Sequence, residues 1–263
     1  MVKRAKLRTR AFGCEPDIPD VAALADWITR NRGRLADITT FRLDAPLSLQ
    51  AKAGITTPCA GGKFYADRIL AAIDGIREEQ AVGELHVNTR DVIEDAAGIV
   101  LTKKGSWCAI PSPRLLGITD RYFHDALEWN DAICGAYRTI MRAMRDTGVD
   151  GHVLICDSID REELGALVWQ KAFFFLQEPD RQDLALLLER QSQVAVRKTD
   201  LPLLFSLVEE YDVNRLFLLD PDPSSIASAL AHFDADQIVA SGYCTGDCEE
   251  YWNDLVSSAY IEY

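Results

Sequence analysis

Three aspartates in this chain follow directly on apolar runs: Asp44 after 38–43, Asp157 after 152–156 and Asp220 after 215–219. Carboxylates that share one desolvated opening repel each other, which raises at least one pKa and supplies a general base, or they hold a hard cation. An Asp at the end of a βα loop also caps helices, and Asp222, just before Pro223, reads as such a cap. Asp157 and Asp220 are therefore the candidate catalytic carboxylates, with Asn88 at another run's end to orient a substrate. Arg197 and Lys198 end a run that is otherwise apolar and suit an anionic substrate, although both side chains can equally snorkel to the surface. Glu178 and Ser241 stand at two further ends and join the candidate substrate contacts.

Two stretches between such runs carry chemistry of their own. Thr56-Thr57-Pro58-Cys59-Ala60-Gly61-Gly62-Lys63 places two glycines and a lysine before a helical segment, where backbone N–H groups can cradle an anion, making Lys63 a candidate contact. It is not a phosphate-loop motif, because Thr57 stands where glycine is needed and Phe64 where the magnesium-binding hydroxyl is needed. Cys244 and Cys248 flank the start of the last helix, where the dipole favours a thiolate. If the first and last loops are neighbours, Cys59 joins them, and three thiolates can hold zinc or another metal, or an iron–sulfur centre. C-x3-C by itself is a weak signal, and a plain thiol pair satisfies it as well. His86, His124, His152 and His232 are scattered, and no HExxH, GxSxG, GxGxxG or HxE…CxxC pattern is present, which disfavours zinc proteases, serine esterases, dinucleotide-binding proteins and nucleobase deaminases.

The elements that must position these residues are clearest from residue 152 onward. There a short apolar run, a polar turn and an amphipathic segment recur five times, with runs at 152–157, 171–177, 193–198, 214–220 and 237–242. Continuous apolar runs with polar ends are the pattern of parallel strands covered on both faces. A helix after each run forces parallel pairing through right-handed crossovers. Asp160 with Glu163 makes a capping box, and Leu203, Leu204, Leu207, Val208 and Tyr211 lie on one helical face. The first half alternates less cleanly, with expected strands at 38–44, 84–88 and 106–111 and helices near 20–30, 64–79, 92–100 and 122–144. Three strands and five give eight. The expected fold is α/β, a (β/α)8 TIM-like barrel with an extra N-terminal helix, residues 1–263 forming one domain and 1–36 its tail and packed helix. The alternative is an open doubly wound parallel sheet with an N-terminal helical cap. In either, ligands bind beyond the strand C-termini.

Composition limits the function classes. With 48% apolar and 26% charged residues the chain is ordinary globular protein, and a net charge of −13 disfavours broad nucleic-acid binding. Lys3, Arg4, Lys6, Arg8 and Arg10 form a basic N-terminal stretch, expected as a solvated or folded-back tail. No apolar run is long enough to span a bilayer and no secretory signal is evident, so a cytoplasmic location is expected, with seven scattered cysteines kept reduced. The expected function is an enzyme acting on a small polar or anionic metabolite at the strand C-terminal mouth, with lyase, hydrolase or group-transfer chemistry most compatible; a variant of this reading has a metal, zinc or another, held by thiolates or carboxylates. The alternative is a non-catalytic binder or scaffold using the acidic surface and basic tail.

Overall fold

The computed structural model describes residues 4–169 and 171–262. Eight strands carry the centre of the fold: β1 Arg8–Glu15, β2 Cys59–Gly61, β3 Trp107–Pro111, β4 His152–Cys156, β5 Ala172–Leu176, β6 Gln193–Arg197, β7 Arg215–Leu219 and β8 Ile238–Thr245. They form two parallel four-stranded sheets, β2-β3-β4-β5 and β6-β7-β8-β1, so each strand pairs with its neighbour in sequence or, for β8 and β1, with the other end of the chain. This is the α/β class with parallel pairing expected from the five-fold recurrence.

The sheets meet twice. Between β1 and β2, Arg10 bridges Thr57 in parallel register, Ala11 N–H donates to the Thr57 carbonyl at 3.0 Å and Thr57 N–H to the Thr9 carbonyl at 3.0 Å. Between β5 and β6 the Gln191 side chain stands in for a ladder: its Oε1 accepts from Phe174 N–H at 2.8 Å, and its Nε2 donates to the carbonyls of Phe174 at 3.1 Å and Gln193 at 2.9 Å. Buried backbone groups at that edge are thereby satisfied. Inside, Phe12 of β1 packs on Phe173 and Phe175 of β5 and on Phe217 of β7, with centroids 5.0 to 5.3 Å apart, so rings from both sheets share one centre.

The first half departs from expectation in three places. Residues 38–44 are not a strand but the start of the helix Ile38–Ala53. Asp37 and Thr40 close a reciprocal capping box there, and this local signal overrides the β-branched Ile-Thr-Thr run. The strand at 84–88 exists within Gln80–Val87, but it pairs antiparallel with Ile73–Arg77 outside both sheets. That hairpin also ends the helix expected over 64–79, which is confined to a 3₁₀ turn at Lys63–Tyr65 and the helix Ala66–Ala71. The basic stretch is not a solvated tail but lies folded back on the protein: Arg4–Lys6 pairs antiparallel with Tyr260–Glu262, and Arg8 and Arg10 belong to β1, while Lys3 lies outside the described residues. A scaffold role resting on that stretch as a free arm is thereby corrected. The expected helices near 20–30, 92–100 and 122–144 are Val21–Arg30, Arg90–Thr102 and Ala126–Thr147. Among the described residues no helix is long and apolar enough to cross a membrane.

Candidate functional site

At the C-terminal ends of the strands a cavity of about 410 Å³ is lined by Glu15, Lys63, Gln177, Arg197, Asp220, Tyr243, Thr245 and Tyr251. Glu15, Lys63, Gln177, Arg197 and Asp220 arrive from five different strand ends, Tyr243 and Thr245 from β8 and Tyr251 from the helix Cys248–Ser258, which is why residues more than 200 positions apart meet. Glu15 ends β1. Its Oε1 accepts from the Tyr243 hydroxyl at 2.6 Å and closely from the Lys63 backbone N–H, and Arg42 Nη2 lies 3.8 Å from its Oε2. Arg42 is held in turn over the Phe64 ring at 4.1 Å. Gly62 has no room for a side chain: a Cβ there would run into the Cys14 carbonyl and Glu15 Oε1. The glycine pair therefore lets the loop approach the protein's own carboxylate, and the Lys63 amide expected to cradle a ligand anion is engaged by Glu15.

Asp220 follows directly on β7 with φ +48, a left-handed conformation uncommon for a non-glycine residue. Its N–H donates to the Ser241 carbonyl at 2.9 Å, and its carboxylate closely accepts the Tyr251 hydroxyl. The Tyr251 ring sits where a Cβ on Gly242 would be, so that glycine is what admits it. Burial, and then the Asp220 charge, push the Tyr251 hydroxyl well above the usual phenol range; burial and Glu15 do the same to Tyr243. Both phenols are thus fixed as proton donors to carboxylates. Arg197 ends β6, with Nη1 donating to the Gln177 carbonyl at 2.9 Å. Lys63 Nζ stands 3.2 Å from Asp157 Oδ1, an ion pair open to solvent.

Of the residues singled out from sequence, Asp220, Arg197 and Lys63 line this cavity. Asp157 reaches Lys63 but lines a neighbouring recess of about 210 Å³ with Ser112, Arg114 and Ser158. Lys198 turns instead to Asp222 at 2.8 Å, the residue that caps Pro223–Leu230 as expected. Glu178 is exposed outside the lining, and Ser241 is buried with its hydroxyl on the Val239 carbonyl at 3.1 Å. Asn88 belongs to a turn: its N–H donates to the Ala72 carbonyl at 2.8 Å and its side chain accepts from Arg90 N–H at 3.1 Å. Asp44 lies on the helix Ile38–Ala53, accepting from the Trp27 indole at 3.2 Å and the Thr102 hydroxyl at 2.6 Å. Glu15, Tyr251 and Arg42 escaped sequence reasoning. Glu15 could have been found as the polar end of the run Ala11-Phe12-Gly13-Cys14.

The three cysteines do not converge as a metal site. Cys244 and Cys248 form a disulfide, against the expectation that all seven cysteines stay reduced, while Cys59 is fully buried in β2, its backbone bracketed by the Gln50 side chain at 2.8 and 2.9 Å. Burial pushes the Cys59 thiol up to about 12, so it resists becoming the thiolate a metal needs. Among the described residues no group of three metal-ligating side chains comes together.

No family model matches the chain, and neither does any curated protein. Solved structures do. A putative vitamin-B12 independent methionine synthase from Listeria monocytogenes superposes with a TM-score of 0.65 at 15% identity, covering 97% of each chain. A B12-independent methionine synthase from Shewanella sp. W3-18-1, solved in complex with selenomethionine, gives a TM-score of 0.65 at 12% identity, again over 97% of each chain. The shared feature is the fold. At these identities the likeness extends over the whole described α/β architecture and says nothing of individual site residues.

Proposed function

We propose that this chain is an enzyme that binds a small zwitterionic metabolite of amino-acid type at the strand C-terminal mouth. The observation that carries this reading is the meeting, in one cavity, of two cations, Arg197 and Lys63, with two carboxylates, Glu15 and Asp220. A substrate with a carboxylate and an ammonium group matches both signs, whereas a simple anion would be repelled by Glu15 and Asp220. Arg197 is anchored through one nitrogen to the Gln177 carbonyl, which orients its planar fork for a carboxylate. Asp220, steadied by the Tyr251 hydroxyl, takes the ammonium group and serves as general base. The selenomethionine named for the Shewanella protein is an amino acid bound on the same fold, which supports the choice of ligand class. In the same reading the two sheets wrap into one (β/α)8 barrel of a single domain, and the protein works in the cytoplasm.

A thermal-shift and calorimetric screen with L-methionine and other free amino acids, beside their methyl esters and N-acetyl forms, tests the proposal. The free amino acids are expected to stabilise the protein and the blocked forms to bind at least tenfold more weakly. Arg197→Ala is expected to weaken binding by about 10- to 100-fold, the equivalent of about 1.5–3 kcal/mol for a charged hydrogen bond. Equal binding of ester and free acid would overturn the reading. Mass spectrometry of the bound ligand then reports whether it is consumed.

A further inference from the structure

At the other end of the strands lies a second cavity of about 460 Å³, somewhat larger than the first. Arg10 and Glu15 stand on the same strand five residues apart, so the two cavities are separated by about 16 Å of β1 at ~3.3 Å per residue. The lower one is bordered by Arg10, Lys171, Arg190 and Arg215 against a single carboxylate, Asp150. Asp150 is already paired with Lys171 at 3.7 Å. Such an excess of positive charge stands out in a chain whose net charge is −13.

Arg10 is the centre of the arrangement. The residue is 7% exposed, and its guanidinium carbon lies 4.3 Å from the Trp107 ring, 4.7 Å from Phe217, 4.9 Å from Phe12 and 5.2 Å from Phe173. Ring faces compensate part of the lost hydration of a cation but offer no hydrogen-bond acceptor. Nε and Nη2 meet none among the described residues, and Arg215 Nε is likewise without one. Nε and Nη2 form one edge of the guanidinium, the edge whose two parallel N–H bonds fit two oxygens of a phosphate or carboxylate. A buried apolar side chain would fill this place without leaving those donors bare.

We propose that this lower cavity binds a small, multiply charged oxyanion, a phosphate-bearing molecule, with Arg215, Arg190 and Lys171 closing on it from the rim and the enclosed Arg10 turning its unpartnered edge to two of its oxygens as it binds. The multiple rim cations favour phosphate over a single carboxylate. Trp107 at the floor and Trp169 on the exposed rim place two indoles beside the ligand, which gives the site an optical signal. Burial also pushes Arg10 down to about 10, and an anion at its free edge would reverse that shift.

Titration of the full chain with pyrophosphate, inorganic phosphate and citrate, at ionic strength held constant with sodium chloride, tests this through tryptophan fluorescence and Tm. Pyrophosphate is expected to change both signals saturably and to bind more tightly than citrate. Arg190→Ala and Arg215→Ala are each expected to weaken it at least ~10-fold, Arg10→Met to abolish it, and Arg197→Ala at the opposite mouth to leave it unchanged. The two rim variants decide the matter if Arg10→Met does not fold. Rim variants that bind pyrophosphate as the unaltered chain does would overturn the proposal, as would a chloride-matched control that reproduces the Tm rise. Loss of binding in Arg197→Ala would move the site to the mouth, and tighter binding of citrate would overturn the phosphate assignment.

Discussion

Glu15 and Asp220 each accept a hydrogen bond from a partly buried phenol, so both mouth carboxylates are held in place before any ligand arrives. The neighbouring disulfide acts on the same corner of the molecule by restraint. Cys244 lies in register with Cys14, next to Glu15, and Cys248 opens the helix that carries Tyr251. Because the loop closed between Cys244 and Cys248 is short, its removal is expected to lower the free energy of unfolding by only about 2 kcal/mol. A Cys244→Ser/Cys248→Ser double variant should show that loss in urea unfolding. Its metal content, measured by elemental analysis, should equal that of the unaltered chain; a stoichiometric metal lost on this substitution would contradict the arrangement of these cysteines.

At the scale of elements, the Gln191 side chain carries most of the hydrogen bonding described at the seam between β5 and β6. Gln191 offers both an acceptor and a donor to Phe174, imitating the two backbone groups of a neighbouring strand, in a position that is 7% exposed. Leucine at this position would leave the Phe174 N–H and carbonyl unpaired in a dry setting. Gln191→Leu is accordingly expected to destabilise by roughly 2–4 kcal/mol, about 1–2 kcal/mol for each orphaned group. The expected readout is a lower urea midpoint with an unchanged slope. An unchanged midpoint would mean that the seam is held by other contacts, such as the bond from Arg197 to the Gln177 carbonyl.

For the whole molecule, two buried titratable groups set opposite limits with pH. Burial, followed by the nearby Asp160 charge, raises Glu163 from 4.5 to about 7. The native state thus binds that proton more tightly than the unfolded chain, and the contribution is complete below 4.5 and lost as pH rises toward 7. Burial, then the charge of Arg145, lowers His152 from 6.5 to about 3, so its contribution is complete above 6.5 and lost as pH falls toward 3. Glu163→Gln isolates the first effect. The Tm of the unaltered chain minus that of the variant is expected to decline as pH rises from 4.5 to about 7 and to level off beyond; a constant difference across that window would show that Glu163 titrates normally.

The alternation from residue 152 onward was determined by sequence alone, because strands buried on both faces must be written as continuous apolar runs and their crossover helices as one-sided stripes. The polar ends Asp220 and Arg197 followed from that period. The first half withheld its strands for physical reasons. Three residues, Cys59–Gly61, are too few to show any period, and β1 is disguised by Arg8 and Arg10. Burial of Arg10 becomes tolerable only when rings from β1, β3, β5 and β7 surround it, a condition no local stretch of sequence can express. Tertiary structure also decided which residues face each other: it joined Glu15 to Tyr243, Asp220 to Tyr251 and Cys244 to Cys248, and left Asn88 and Cys59 elsewhere. Sequence spacing reports which face of an element is apolar, whereas the partner across a cavity is fixed by the packing of distant strands.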